Sequence, residues 1–292
     1  MKRIVLTALC ILSYGILTDL HAKDGLKVFI SVDMEGISGV VSRSDDVSRG
    51  GQDYEYFRTV MTKETNAAIE GALAAGATGI LVRDSHGSAR NLLPEMLHRE
   101  AKLLRDWSGG YLSMMEGIDE SFDAVIFIGY HAKAGTPNAL LEHTMSSRSV
   151  TDMSINGISL PEAGINALIA GHFNVPVVFA AGELALCEQA EGLLGKVETV
   201  AVKEGVGNAA LCLHPEVARE LIRAGVEKAL RNYKTYKPYK LKPPYTLKLV
   251  LKIEEEVHEA SFYPGVERTG DWELTFKSND LLEVMKAFDR IH

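Results

Sequence analysis

Basic residues are in short supply in this chain: 31 Lys and Arg face 39 Asp and Glu across 292 residues, a formal net charge of −8. No basic stripe offsets the deficit locally, so nucleic acid and anionic membrane surfaces are poor candidate partners. Cysteine is scarcer still, with three in all. Cys10 falls in an N-terminal apolar stretch, and Cys187 and Cys212 are expected as buried thiols, because two cysteines of unknown separation do not establish a disulfide. Repeats and low-complexity tracts are absent, as are a phosphate-cradling P-loop and a G-x-S-x-G elbow, which removes the usual support for nucleotide hydrolysis and serine-esterase chemistry.

Long hydrophobic runs are also lacking. The one candidate, Ile4 to Leu17, falls short of the roughly 20 residues that span a bilayer. It follows Lys2 and Arg3 and precedes Leu20-His21-Ala22, the pattern of an export signal over residues 1–22 cleaved before Lys23, with an uncleaved anchor as the alternative. Removal would leave an exported (periplasmic or secreted) domain of 29 basic and 38 acidic residues with no stable membrane association.

The chain as a whole is 46 % hydrophobic, enough for a full core. Apolar runs of strand length at Lys27–Val32, Gly79–Val82, Ala124–Gly129, Val175–Ala180 and Val197–Val202 alternate with helical segments. Most are continuously apolar, as in strands covered on both faces, which predicts an α/β fold with a mostly parallel sheet flanked by helices. After Pro215 a long helix, the stretch Lys234 to Pro244, two alternating strand patterns ("YTLKLVLKI", "WELTFKS") and a final helix predict a smaller α+β C-terminal domain. The expected division is 23–210 for the catalytic domain and 211–292 for the smaller one.

The first strand ends in Asp33 and Glu35, which share a side if strand geometry persists that far. Two anions on one side repel unless a positive charge lies between them. The second strand runs into "VRDSHG", placing His86 just past its end, and the third into "GYHAK", placing His131 in the same relation. Taken alone, the acids read first as a solvated strand end and each histidine as a surface or satisfied core residue. In an open parallel sheet, however, the carboxyl ends of the strands share one edge, and that edge carries the ligand crevice. Imidazole with carboxylate suits zinc first, with manganese or iron accepting the same donors. Asp84 beside His86 either orients the imidazole or is an ordinary turn acid. His98, His172, His214 and His258 lie near helix ends or in variable-looking stretches, and Met114 and Met115 read as packing residues.

The series "SVDMEGISG", "VRDSHG", "SMMEGI", "GYHAKAGTP", "EHTM" and "PEAGINALIAGHFNVPVVFAAG" resembles, in order, the D-aminopeptidase family (M55 type) typified by DppA. The resemblance implies a two-zinc aminopeptidase that releases N-terminal D-residues such as D-Ala from short peptides, and a ring-shaped homo-oligomer, typically a decamer. It implies Asp33 as the acid bridging both metals, Glu35 as a second acid ligand, and His86 and His131 as the histidine ligands. Glu162, where the family typically reads GELG, is implied as the remaining carboxylate, and His143 as the catalytic histidine, preceded here by Glu142 where the family has Ser. On the residues alone Glu162 is also a helix-start acid after Pro161, and His143 a solvated loop histidine. An activated water assisted by His143 needs no covalent imidazole intermediate, whereas the family's interpretation makes His143 the nucleophile. The rival readings are a two-metal hydrolase of another amide or a phosphoester, and an exported metal-binding protein without turnover. Only Lys133 and Arg83 supply positive charge near the motifs, which counts against the phosphoester.

Overall fold

A computed structural model describes residues 25–292; the expected export signal lies outside the described residues. The main sheet has seven strands in the order β3-β2-β1-β4-β7-β8-β9. These are β1 (Leu26–Val32), β2 (Ala77–Asp84), β3 (Ala101–Leu104), β4 (Ala124–Tyr130), β7 (Val177–Glu183), β8 (Glu198–Val206) and β9 (Ala209–Cys212). All neighbours pair in parallel except β8 and β9. That is the mostly parallel α/β architecture the apolar runs predicted.

Alternation within β1 assigns its residues to two cores. Val28, Ile30 and Val32 face helices α1 (Tyr54–Ala74) and α4 (Pro215–Arg231), while Phe29 joins the core on the other face with α2 (Glu162–His172). Each such side chain contributes roughly 1.5–3 kcal/mol when buried, and slipping by one residue would exchange the two sets, so the register is firmly specified. Helix α1 stops where Gly76, at φ +93°, donates its N–H to the Leu73 carbonyl. That left-handed turn favours glycine.

The second sheet is smaller: β11 (Val266–Arg268), β12 (Glu273–Ser278), β10 (Tyr245–Leu251), β5 (Val150–Ile155) and β6 (Ile158–Ser159), all antiparallel. It is packed by α5 (Glu254–Ala260) and α6 (Leu281–Ile291). The division expected at 210/211 does not coincide with the sheets. Residues 150–159 supply two strands to the small sheet, and α4, beyond the expected boundary, packs against α1 and β8 of the large one. Composition marks local element type, and it carries no information about which sheet a two-residue strand such as β6 will join.

The topology reverses between β1 and β4: from β1 the chain proceeds outward through β2 and β3, then returns to β4 on β1's opposite side. The carboxyl ends of β1, β2 and β4 therefore sit side by side at the switch point, where open α/β sheets bind ligands. Close approach there depends on two glycines. A Cβ on Gly36 would lie 1.9 Å from the Tyr130 carbonyl oxygen, and one on Gly129 2.2 Å from that of Asp33. Both distances are far inside contact, so the segment after β1 can cross the end of β4 only where side chains are missing. Among the described residues no helix is long and apolar enough to cross a membrane. Cys187 is buried and Cys212 is exposed, and among the described residues neither is in a disulfide, so the expectation of a buried thiol fails at Cys212, which sits on edge strand β9.

Candidate metal centre

The strand ends bring the predicted residues together in two adjoining groups. Asp33, Glu35 and His86 form one, and His131, His143 and Glu162 the other, with candidate ligand atoms in each group within 4.8 Å of one another. His86 Nδ1 lies 2.8 Å from Glu35 Oε2 and 3.2 Å from Asp33 Oδ1. The other carboxylate oxygen, Asp33 Oδ2, is 3.5 Å from His131 Nε2, which is also 3.5 Å from Glu162 Oε2. Asp33 thus presents one oxygen to each group, the arrangement expected of a bridging acid. His98, His172, His214 and His258 belong to neither group; His214 instead caps α4 by accepting the N–H of Glu216.

Backbone carbonyls set the tautomers, since a carbonyl can only accept. His86 Nε2 donates to Val47 O at 2.9 Å, so Nδ1 is the nitrogen turned to the carboxylates and the one that a metal would take once its proton is displaced. His131 Nδ1 donates to Ala132 O and His143 Nδ1 to Leu141 O, both at 2.9 Å, so these rings offer Nε2. Fixing one nitrogen by an outer hydrogen bond is how proteins aim a ligating imidazole. Asp84 does not orient the His86 ring. It accepts the Asn91 and Leu92 N–H groups at 2.6 and 2.7 Å, and Asn91 Nδ2 in turn holds the His86 carbonyl at 2.6 Å.

Asp33, Glu35, Glu162 and His131 are each no more than 3 % exposed. Three carboxylates so buried require positive charge. Asp33 Oδ2 and His131 Nε2 are both buried and, among the described residues, without a hydrogen-bond partner. Two orphaned ligand-type atoms facing each other across 3.5 Å fit a cation between them, and the N/O donor set is one that zinc accepts.

With protons as the only counter-charge, the titration of the site is distorted. Burial, followed by the Glu35 carboxylate, pushes the Asp33 carboxyl up to about 8. For His131 burial opposes the charged ring, but Glu162 and Asp33 outweigh it and hold the imidazolium up to about 10. Burial opposes charge on His86 as well, and Glu35 overrides it, placing His86 well above the ordinary histidine range. His143 moves the other way: burial and then the neighbouring His131 lower it. The His131 and His143 rings stack at 4.1 Å. Their side chains differ in access, 0 % exposed for His131 and 13 % for His143, so His143 alone of the pair lines the cavity.

That cavity, about 670 Å³, has Asp33, Glu35, His86 and Glu162 along its floor and Arg43, Arg49, Arg148 and Trp107 among its walls. The arginines correct the expectation that only Lys133 and Arg83 bring positive charge to the crevice. Arg83 is fully buried and Lys133 does not line the cavity. Sequence reasoning missed all three arginines because Arg49 and Arg148 lie on loops and Arg43 opens a five-residue helical turn, all away from the strand ends that carried the pattern. It also missed Lys203, a buried lysine of β8 that donates to the carbonyls of Glu35 and Val40 and so fixes the segment after β1. A lysine inside a buried strand, in "VAVKEG", was the available signal. The carbonyls of Val47 and Leu141 left no signal, because any residue supplies one.

Comparison with known proteins places this geometry. The model of a peptidase family described as D-aminopeptidase (M55) matches residues 26–290. A D-aminopeptidase of Bacillus subtilis is 39 % identical over 272 residues, covering 90 % of this chain and 95 % of that one. The solved structure of the Zn-dependent D-aminopeptidase DppA from the same organism, described as a self-compartmentalizing protease, superposes with a TM-score of 0.84 at 36 % identity, over 90 % of this chain and 95 % of that one.

Proposed function

The chain belongs to the M55 D-aminopeptidase family of metallopeptidases, and from that premise we propose that it removes an N-terminal D-residue such as D-Ala from short peptides. The observation that carries the reading is the pair of ligand groups sharing Asp33, with orphaned donors facing each other at the floor of an open cavity. Asp33, Glu35 and His86 would hold one zinc ion, and His131 and Glu162, with the second oxygen of Asp33 3.5 Å from His131 Nε2, the other. When bound, the pair supplies Lewis acidity that polarises the scissile carbonyl and makes water a competent nucleophile near neutral pH.

The protein's own groups provide the rest. His143 is held by Leu141 O with its Nε2 lone pair toward the cavity, and its lowered pKa keeps the ring neutral and able to accept a proton. Glu162 Oε1, 3.6 Å from His143 Nε2, accepts the Met145 N–H at 2.7 Å, which ties the loop carrying His143 to α2. At the walls Arg43, Arg49 and Arg148 offer charge to the free carboxylate of a short peptide.

The same arginines are what a phosphoester hydrolase would need, so this second reading is tested alongside. Purified, zinc-loaded protein is assayed with D-Ala-D-Ala, L-Ala-L-Ala and p-nitrophenyl phosphate. Release from the D-peptide alone is expected; turnover of the phosphate ester with inert peptides would replace the proposal with its rival.

Export and assembly complete the reading. The charged head and apolar run of residues 2–17 support an exported location, to be tested by N-terminal sequencing of protein recovered outside the cytoplasm. The solved relative's self-compartmentalizing description supports a closed homo-oligomer, a decameric ring in our reading. Exposed Val206 and Leu211 on the β8–β9 edge hairpin supply apolar contact surface. Light scattering should return ten times the mass of the mature chain, measured by mass spectrometry of the same sample; a monomer would refute it.

A further inference from the structure

One wall of the cavity is an aromatic plate held from behind by a buried charge. Trp107 is 40 % exposed and lines the cavity, and its Nε1 donates to the carbonyl of Gly87, the residue after His86, at 2.7 Å. Beneath the ring, the Arg83 guanidinium carbon lies 4.5 Å from the centroid. Arg83 is fully buried; it donates to Asp106 O at 2.7 Å and to Ser113 O at 3.3 Å, and its Nη2 has no acceptor among the described residues. The Trp107 N–H is in turn accepted by Asp106 Oδ1 at 2.9 Å, with Asp106 held at φ +71° and its own N–H on Ala89 O at 2.6 Å.

Among the described residues Arg83 has no carboxylate in direct ion-pair contact, although the charges of Asp84, Glu116 and Asp106 support it, and the face of an indole further offsets the cost of burying a guanidinium. The result is a ring clamped at its nitrogen, its backbone and its inner face. Its exposed side is left to the cavity, and the neighbouring lining residues Gly109 and Gly110 carry no side chain to cover it. The floor ligands are at most 9 % exposed, so the bond to be cut sits deep and Trp107 stands further out. A cavity of about 670 Å³ is also more than two alanyl residues fill.

We propose that Trp107 is the specificity-determining wall for the residue after the cleaved bond, selecting peptides whose second side chain is bulky and apolar or aromatic, and that Arg83 is the positioning residue that presents it. The proposal rests on the aminopeptidase reading and extends it to the second residue of the peptide.

The test compares D-Ala-D-Phe with D-Ala-D-Ala on wild type, Trp107→Ala, Trp107→Phe and Arg83→Met. Wild type should favour D-Ala-D-Phe through KM; Trp107→Ala should lose at least about tenfold in kcat/KM on D-Ala-D-Phe relative to D-Ala-D-Ala, with zinc content unchanged, and Trp107→Phe should recover most of it. The chain has two tryptophans, so in a Trp272→Phe background the emission comes from Trp107. It should quench on titration with D-Phe-containing dipeptide, and Arg83→Met should shift the emission and weaken the quench, with Arg83→Lys intermediate. Equal effects of Trp107→Ala on both peptides, with no quench, would overturn the inference and leave the aminopeptidase reading standing. Failure of wild type to cut either peptide would instead count against that reading, and the quench would still decide whether the wall binds an aromatic side chain.

Discussion

The two ligand groups of the metal centre are built differently. In the first, Asp33, Glu35 and His86 sit at adjoining ends of β1 and β2 and touch one another at 2.8 and 3.2 Å. In the second, His131, His143 and Glu162 stand 3.5 to 3.6 Å apart, and His143 comes from a loop in which Leu141 and Met145 both adopt positive φ, +59° and +62°. The first group is fixed by sheet register and by Lys203 beneath it. The second is held by side chain to backbone bonds and by loop strain that surrounding contacts must offset. Both groups present metal-ligand atoms, and the second adds one loop-borne histidine, His143, to ligands fixed on β4 and α2.

Breaking the residue common to both groups should have the largest effect. Asp33→Asn replaces one of the two oxygens on which both metals depend, so both ions should be lost to dialysis and turnover should fall by a thousandfold or more, on the order of the several kcal/mol that metal polarisation supplies. Metal analysis beside steady-state kinetics measures it. Next comes a contrast between the groups. His86→Ala should retain one ion per chain at best, whereas His143→Ala should retain both while kcat falls about 10²–10⁴-fold. Loss of zinc from His143→Ala would make it a ligand and erase the contrast.

A pH titration of metal-free protein sharpens the comparison further. His131 is held up to about 10 and Asp33 to about 8. Both bind protons at neutral pH that a cation must displace, so zinc affinity should rise with pH, most steeply below about 8 and on toward about 10, and uptake should release protons. Calorimetry in buffers of different ionisation enthalpy counts them, and pH-independent affinity would contradict the electrostatics. The smallest effect is expected at Arg43, whose Nη2 donates at 3.0 Å to the same Leu141 carbonyl that accepts His143 Nδ1. Arg43→Ala removes one such bond, worth about 1 kcal/mol, so kcat should drop roughly fivefold with zinc content unchanged.

The same contrast explains how much could be read from the sequence. Asp33, Glu35, His86 and His131 come directly after apolar runs, and once those runs are parallel strands the geometry of their ends is determined; the structure places all four together. Glu162 and His143 were ambiguous on residues alone, a helix-start acid and a loop histidine, and only the motif resemblance singled them out. The Arg43, Arg49 and Arg148 walls, the Trp107 plate and the Val47 carbonyl were not legible, because they depend on loop paths over the sheet edge that no periodicity encodes. The fold obeyed the same rule. Buried parallel strands were visible as runs, while half-buried edge strand β3 and the two-residue β6 were not.

The most direct test of a dinuclear centre shared through Asp33 is anomalous diffraction at the zinc edge from crystals of the zinc-loaded protein. Two peaks per chain are predicted, one beside Glu35 and His86 and one beside His131 and Glu162, with an Asp33 oxygen reaching each. A single peak, or zinc bound elsewhere with both groups empty, would contradict it.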